Sequence, residues 1–576
     1  MKTKFQNRGI LVNALNYEEV KFDVGTNSFF TQFNGKGGFN YFHYVNNAKL
    51  NIKATSYLNI FINNKELDVL GKKEIFNCGK FQTIKFYLND GFILIKQFVF
   101  SDYIFNRFEV NFKKNKNIDF MFDFSGFVDV LNFYSTSTFK YLKENYSYRV
   151  NLKGETSKFD VVISFTKIVK DAVKNIDLIE KLLLKEIDNI SIPKLCNSEM
   201  KKSLYISSMF AALENYKTIG DFRGFTAGVN YLVPFRTYYR DSYWTILCLY
   251  ENNIGLIKEQ ILTLAKGIKD DGECPSAVKS DYTGFWSGHY DSPCFFVMMV
   301  FDYINHSGDF NFLEIKLSNG KTILNICKKV MDRLLKMCDK SNHLLYKKGY
   351  FNRLDWADAV NRPGFVTYDE CLFYRALYCL GNLIKGPNVY LKESQIVKES
   401  INKILWNAKK GYYINYIDGD NYEDNLSVDT ILTVLFDIVP EEKKEKLIDK
   451  FEEILYSKNH KGFVDFGLMC VYPLYKNPEA ILSLSSQPFR YHNGANWPYW
   501  SGLFAYMLNL NGRNSDYVLT KPYTFNVAQN NFTPVEYFSP YYQTGSMLQA
   551  WSSTCAFALQ HCKKNFFMIT FKHMED

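Results

Sequence analysis

A mainly α-helical chain with an all-β N-terminal domain is the fold class that the sequence predicts, and three observations predict it. Up to about residue 165 the chain reads as short runs rich in β-branched and aromatic residues, broken by turn signals. From about residue 177 apolar residues recur at helical spacing almost to the end. Between those helices lie segments carrying Gly, Pro, Trp, Asp and His, a pattern that suggests a helical toroid with its site on the loops.

In the first part, "FQTIKFYL" and "FILIKQFVF" flank Asn89-Asp90-Gly91, a tight-hairpin signal because these residues tolerate positive φ. "NGKGG" from Asn34 and "FINNKEL" from Phe61 mark further breaks, and many short strands with such turns predict a β-sandwich over residues 1–165. "DLIEKLLLKEIDNI" (Asp177–Ile190) reads as a linker helix within residues 166–194, ended by Pro193. From "NSEMKKSLYISSMFAALENY" onward the helical period continues through "GLIKEQILTLAKGI", "FFVMMVFDYINHSGD", "ECLFYRALYCLGNLI" and "YWSGLFAYMLNLNGR", placing a helical domain over residues 195–576. No near-identical repeat marks a solenoid. Periodicity alone does not separate a toroid from an irregular bundle, so the motifs must decide.

Composition narrows the function classes. The 576 residues are 47% hydrophobic and 22% charged, which is ordinary for a globular chain with ample core. The net charge of +9 comes from 69 basic and 60 acidic side chains that are interspersed, so neither nucleic acid nor a membrane surface is the expected partner. "CFFVMMVF" ends at Asp302, far short of the roughly 20 residues that cross a bilayer. The N-terminal stretch shows no signal-peptide pattern, and the 12 cysteines are scattered without CxxC pairs or Cys/His clusters, so a reduced, cytoplasmic protein with no metal and no cofactor is expected. The 51 Phe and 41 Tyr suit sugar platforms but accompany abundant Lys, Asn and Ile and carry little weight.

Four constellations carry chemistry. "VPFRTYYRDSYWTIL" packs Arg240 and Asp241 among Tyr239, Trp244 and other aromatics; a guanidinium donates to vicinal hydroxyls, a carboxylate accepts from them and an aromatic covers the ring. An Asp capping a helix, with Arg as its ion partner, explains the same residues equally well. In "GHYDSPCFF", Asp291 precedes Ser-Pro and an apolar helix, which favours a cap, with the mouth of a pocket as its other place; Trp286, just before it, is a candidate lining residue. "RLDWADAVNRPG" sets Asp355 and Asp358 around Trp356, and a carboxyl beside a large apolar side chain is poorly solvated, which raises its pKa and keeps it protonated as a general acid. "QPFRYHNGANWPYWSG" presents Tyr491, His492, Asn493 and Trp497 on a tight loop, and "PVEYFSPYYQTGSMLQAWSS" places Glu536 in a second aromatic loop.

In order, these motifs resemble the inverting (α/α)6-barrel glycoside hydrolases, the group of trehalases, neutral invertases, processing α-glucosidases, glycogen-debranching glucosidases and glucoamylases. "YYRDSYWTILCL" is similar to the trehalase segment that grips the terminal sugar. "YHNGANWP" matches the Tyr-His-Asn-Gly-x-x-Trp-Pro loop of neutral invertases, and "PVEYFSPYYQTG" followed by "QAWSS" resembles their Pro-Glu-Tyr-Tyr-Asp and Gln-Thr-Trp-Ser segments. The resemblance implies a six-hairpin toroid, no cofactor and a carbohydrate substrate. It makes Glu536 the base and Asp358 the acid, with Asp355 exchanging places if the loop differs by two or three residues. Arg240, Asp241, Tyr239, Trp244, Trp286, Asp291, Trp356, Tyr491, His492, Asn493 and Trp497 then surround the sugar. The trehalase Pro-Gly-Gly-Arg-Phe and the invertase Asp-Arg-Arg-Met-Gly signatures are absent, so neither trehalose nor sucrose specificity transfers.

The expected activity is inverting hydrolysis from the nonreducing end of small α-linked oligosaccharides or glycosides. A disaccharide phosphorylase, whose Asp-Trp-Asn-Asp loop resembles "DWAD", is the nearest rival, and a noncatalytic carbohydrate-binding protein of the same fold is a rival of another class. The oligomeric state is left open by the sequence.

Overall fold

The computed structural model describes residues 2–14, 20–45, 51–52, 55–67, 72–125, 132–135, 140–142, 145–152, 156–164, 170–232, 234–286, 288–349, 353–475, 487–561 and 564–568. The chain forms two compact units, Met1–Asp221 with Tyr523–Pro534, and Phe222–Pro522 with Val535–Asp576.

The first unit is built on two antiparallel sheets. One runs in the order Lys2–Gln6, Gly9–Ala14, Lys72–Cys78, Phe81–Leu88, Gly91–Phe100, Tyr103–Phe112, Thr156–Ser164, Asn132–Ser135. The other is centred on Lys116–Ser125, which pairs with Thr55–Ile62 and Asn145–Leu152. Leu88 pairs with Gly91, so Asn89-Asp90 is the two-residue turn, although none of Asn89, Asp90 and Gly91 takes the positive φ expected of it. A Cβ on Gly91 would lie 2.0 Å from the Asn111 carbonyl oxygen of the neighbouring strand, which excludes any larger residue. In the second sheet Ile62 pairs with Lys65 across Asn63 and Asn64, both at positive φ.

Phe120 of the second sheet packs edge-on against Phe108 and Phe159 of the first at 5.3 and 5.1 Å, which joins the two sheets into a sandwich. The helix Ile176–Asn189 buries Ile176, Ile179, Leu183 and Ile187 on one stripe, and Arg107 reaches from the sheet to its Asp177 and Glu180 at 2.7 and 2.5 Å. The helix Glu199–Glu214 is capped by Ser198, whose hydroxyl accepts from the Lys201 amide.

From Glu199 on, helices alternate in character along the chain. Ile254–Lys266, Ile323–Leu335, Val389–Ile404 and Glu441–Leu455 bury one stripe each, as with Ile323, Ile326, Cys327, Val330 and Leu334. Tyr239–Ile246, Asp291–Ser307, Thr367–Leu383 and Pro498–Leu510 are buried nearly all round. A helix with no exposed face belongs to an inner ring, and an amphipathic one to the outer ring that covers it. With the short inner segments Val428–Leu435 and Ala550–Gln560, this is the (α/α)6 six-hairpin toroid that the sequence predicts. Among the described residues no helix is long and apolar enough to cross a membrane.

Candidate active site

The inner helices set the site by where they begin. Asp241, Asp291, Asp369 and Asp429 all sit in the first turn of an inner helical segment. Unpaired backbone N–H groups and the positive end of the helix dipole favour a carboxylate there. The segments that precede those starts carry the remaining candidates: 353–366, 487–497 and 535–549.

The loop 487–497 is shaped by Gly494 at φ +98 and closed by Pro498 at the first position of its helix. His492 stacks on Trp497 at 4.8 Å and 12°, and Tyr491 packs on both at 4.1 and 5.0 Å. Reciprocal bonds between Asn496 and Phe538, 3.0 and 2.9 Å, join this loop to the one bearing Glu536. Trp356 packs edge-on against His492, Trp497 and Trp500.

Glu536 is 8% exposed. Its carboxylate accepts from the Tyr231 hydroxyl at 2.9 Å and from the Ser546 amide at 3.1 Å. Burial raises its pKa and these two donors oppose the rise. A Cβ on Gly545 would lie 2.6 Å from its Oε2, so a glycine there makes room for the carboxylate.

Asp358 keeps 39% of its side-chain surface open. It faces a cleft of about 540 Å³ lined also by Trp286, His289, Gly349, Arg353, Leu354 and Asn361. Protein encloses it beyond that opening, so its pKa rises to about 7, chiefly by desolvation and further by the charges of Glu536, Asp355 and Asp241 against the pull of Arg240. Asp241, 7% exposed, is likewise raised to about 7 by burial. Among the described residues no donor of another residue reaches its carboxylate.

Arg240 donates from Nε to Asp291 Oδ2 at 2.7 Å, a carboxylate that also accepts from the Tyr368 hydroxyl at 3.3 Å. The helix cap read for Asp291 is therefore not its role: the cap position is Tyr290, and the wholly buried Asp291 serves as counter-ion to Arg240.

Asp355 is placed differently from Asp358. It is 1% exposed, paired with Arg362 (Nε–Oδ2 3.1 Å, Nη2–Oδ1 2.5 Å) and with Lys347 at 2.5 Å. Arg362 also donates to Asp429 at 2.7 Å and Asn415 at 3.2 Å, Lys347 to Asp369 at 2.8 Å, and the Trp356 indole N–H to Asp429 at 2.6 Å. The two cations hold the Asp355 carboxyl far below the usual carboxylate range despite its burial, so it has no proton to give.

Three other expected contacts move behind the site. Tyr239 is wholly buried and gives its hydroxyl to the Leu264 carbonyl at 2.7 Å, on the side of the outer helix. Trp244 lies one turn, roughly 6 Å, deeper in the ring than Arg240, packed on Tyr243, Phe295 and Trp500. Asn493 accepts from the Tyr475 amide at 2.9 Å and holds its own loop. Trp497, 2% exposed, backs the site from behind the Tyr491 ring, whereas Trp286 is 53% exposed at the cleft rim.

Four groups at the site escaped the sequence reading. His289 lies on the cleft wall, 5% exposed, and burial lowers its pKa to about 4; the neighbouring Trp286 and Gly288, both at positive φ, mark its tight loop. Arg362 was visible in "DAVNRPG" as its one cation. Tyr231 and Lys347 carry no local signal, because their partners lie 305 and 8 residues away.

The family model for amylo-alpha-1,6-glucosidase matches residues 225–558, more than half of the chain. No curated protein matches it by sequence. Among solved structures it is similar to a bacterial glucoamylase complexed with acarbose, with TM-score 0.56 and 13% identity over 96% of this chain and 93% of that one. It is also similar to a rhamnosidase from Klebsiella oxytoca with rhamnose bound, with TM-score 0.47 and 13% identity over 81% and 87%. The likeness to the glucoamylase is one of fold, and the family model spanning the motif loops supplies the rest: the chain is a glycoside hydrolase and belongs to the amylo-alpha-1,6-glucosidase family.

Proposed function

We propose that the protein is an inverting, exo-acting α-glucosidase of small oligosaccharides or glycosides, with Asp358 as general acid and Glu536 as general base. The observation that carries this reading is the contrast between two carboxyls of one site. Asp358, raised to about 7 and open to the cleft, is partly protonated at neutral pH and can give that proton to a ligand there, whereas Glu536, also raised by burial, accepts from two fixed donors that oppose the rise and favour its ionised form.

In the reaction, Asp358 gives its proton to the glycosidic oxygen as the bond from that oxygen to the anomeric carbon breaks. A water attacks the opposite face and loses its proton to Glu536, which leaves both carboxyls to be reset by proton exchange with solvent. Arg240, held by Asp291, and the unpartnered Asp241 carboxylate serve the hydroxyls of the terminal sugar. Asp241 and Glu536 are nearly closed while Asp358 opens outward, so the sugar between them has no room to continue, which favours exo action. The bacterial glucoamylase of similar fold that binds acarbose supports a carbohydrate ligand. Hydrolysis is favoured over phosphorolysis because the position opposite Asp358 is taken by the buried Glu536 carboxyl, which can accept a proton from water and would repel a phosphate dianion.

The deciding experiment is NMR of the first-formed sugar during turnover of an α-linked glucose disaccharide. A β-anomer supports the mechanism; an α-anomer, or turnover only with phosphate, refutes it. Asp358 works protonated, so kcat/KM should fall as pH rises through about 7. Tyr231→Phe removes a hydrogen bond that lowers the Glu536 pKa, so the base takes up its proton at higher pH. Its acidic limb should move up by about 1–2 pH units, with the alkaline limb in place. An unmoved acidic limb would remove Glu536 from the base role.

A further inference from the structure

The amide N–H groups of the residues on either side of Asp358 are both captured by side chains, and the 357–358 peptide is held through its carbonyl, which accepts from the Val360 amide at 2.8 Å. On one side the Ala357 amide donates to Asp355 Oδ1 at 2.7 Å, and on the other the Ala359 amide donates to His492 Nδ1 at 3.3 Å. Asp355 is itself immobilised by Arg362 and Lys347, and His492 by the stacked Trp497 and the edge of Trp356. Both acceptors lie within the inner ring, 1% and 2% exposed, so neither competes with water for its amide.

We propose that Asp355 and His492 form a two-point clamp on the backbone of the acid, and that both are positioning residues rather than sugar contacts. The inference rests on Asp358 being the acid. A carboxyl open to a cleft has rotamer freedom and a loop that can drift, and proton donation demands that its oxygen stay within hydrogen-bond reach of one leaving atom. Holding the amides of Ala357 and Ala359 restrains the short segment that carries the Asp358 Cα and leaves the side-chain torsions as its main freedom. His492 acts here as an acceptor at Nδ1, so it must be neutral with its proton on Nε2; burial drives its pKa well below the ordinary value and keeps it so throughout the working range.

An acceptor clamp makes a chemical demand that packing does not. Asn places its Oδ1 close to where His has Nδ1, whereas Leu fills similar space without an acceptor. His492→Asn should therefore retain most of the clamp and His492→Leu should lose it. The loss should appear where the leaving group needs a proton and not where it does not.

The experiment compares kcat on an α-linked glucose disaccharide and on 2,4-dinitrophenyl α-glucoside, whose phenolate departs unprotonated. His492→Leu and Asp355→Leu, which both remove the acceptor, should lose roughly 10–100-fold on the disaccharide and far less on the aryl glucoside, with His492→Asn near wild type on both. Equal losses on both substrates, or an Asn variant as poor as the Leu variant, overturn the clamp. Asp358→Asn is the control: if it too loses equally on both substrates, the acid assignment itself fails. Hydrogen exchange of the intact wild-type protein covers variants that do not fold, because the clamp requires slow exchange at the Ala357 and Ala359 amides, and fast exchange there overturns it.

Discussion

Asp358→Asn and Glu536→Gln each lower kcat by roughly 10²–10⁴-fold while an unreacted sugar still binds, because each removes one proton transfer and leaves Arg240 and Asp241 in place. The two losses should differ in kind. The acid variant fails most on substrates with poor leaving groups, and the base variant fails on all alike, since water must be activated whatever departs. Two fully active variants would dispose of both assignments.

The acid variant carries a second expected result, with a defined sign. The Asp358 pKa is raised in the fold from an ordinary 3.8 to about 7, so between those values the folded chain holds a proton that the unfolded chain releases. Stability therefore falls as pH rises through that window, and an Asn, never charged, escapes the loss. Asp358→Asn should be more stable than wild type above pH 7 by roughly 1–2 kcal/mol, the cleft water at its open side screening part of the full shift, and equal to it below about pH 4. A calorimetric comparison at both pH values reads this, and no gain at high pH would mean that Asp358 is solvated like a surface carboxyl.

How much of this was legible follows from the range of each interaction. Helical period is local, so the buried inner helix Asp291–Ser307 and the striped outer helix Ile323–Leu335 announce themselves over a dozen residues, as does the Asn89-Asp90-Gly91 hairpin. The loops of the site were legible because toroid topology brings the starts of inner helices together, and each start is marked by a dense cluster of Asp, Trp, His or Pro. Which member of a cluster faces the ligand is set by helix rotation and depth. In "TYYRDSYW" that turns Arg240 and Asp241 toward the other site carboxyls but sends Tyr239 outward and Trp244 inward. The difference between Asp355 and Asp358 was beyond local reading, since it comes from Lys347 and Arg362, whose match to Asp355 exists only after folding.

Arg362→Leu should cost about 3–5 kcal/mol, the largest stability effect expected from any single change at the site. The guanidinium is wholly buried and serves two carboxylates and an amide oxygen: Asp355 through Nε and Nη2, Asp429 and Asn415 through Nη1. Leu fills the space but, among the described residues, leaves Asp429 with the Trp356 indole N–H alone and Asp355 with Lys347 and the Ala357 amide. Lys does not replace Arg here, because one ammonium does not span three acceptors in a fixed fork, so Arg362→Lys should recover only a minor part of the loss. Acid titration identifies the cause. The folded Asp355 pKa is depressed, so the pair contributes its full stability above the ordinary value of 3.8 and loses it as pH falls below that. Removing Arg362 lets that pKa rise, so the penalty of the variant should be large at pH 6 and shrink toward pH 3. A penalty equal at both pH values would mean that Arg362 matters as volume rather than as charge.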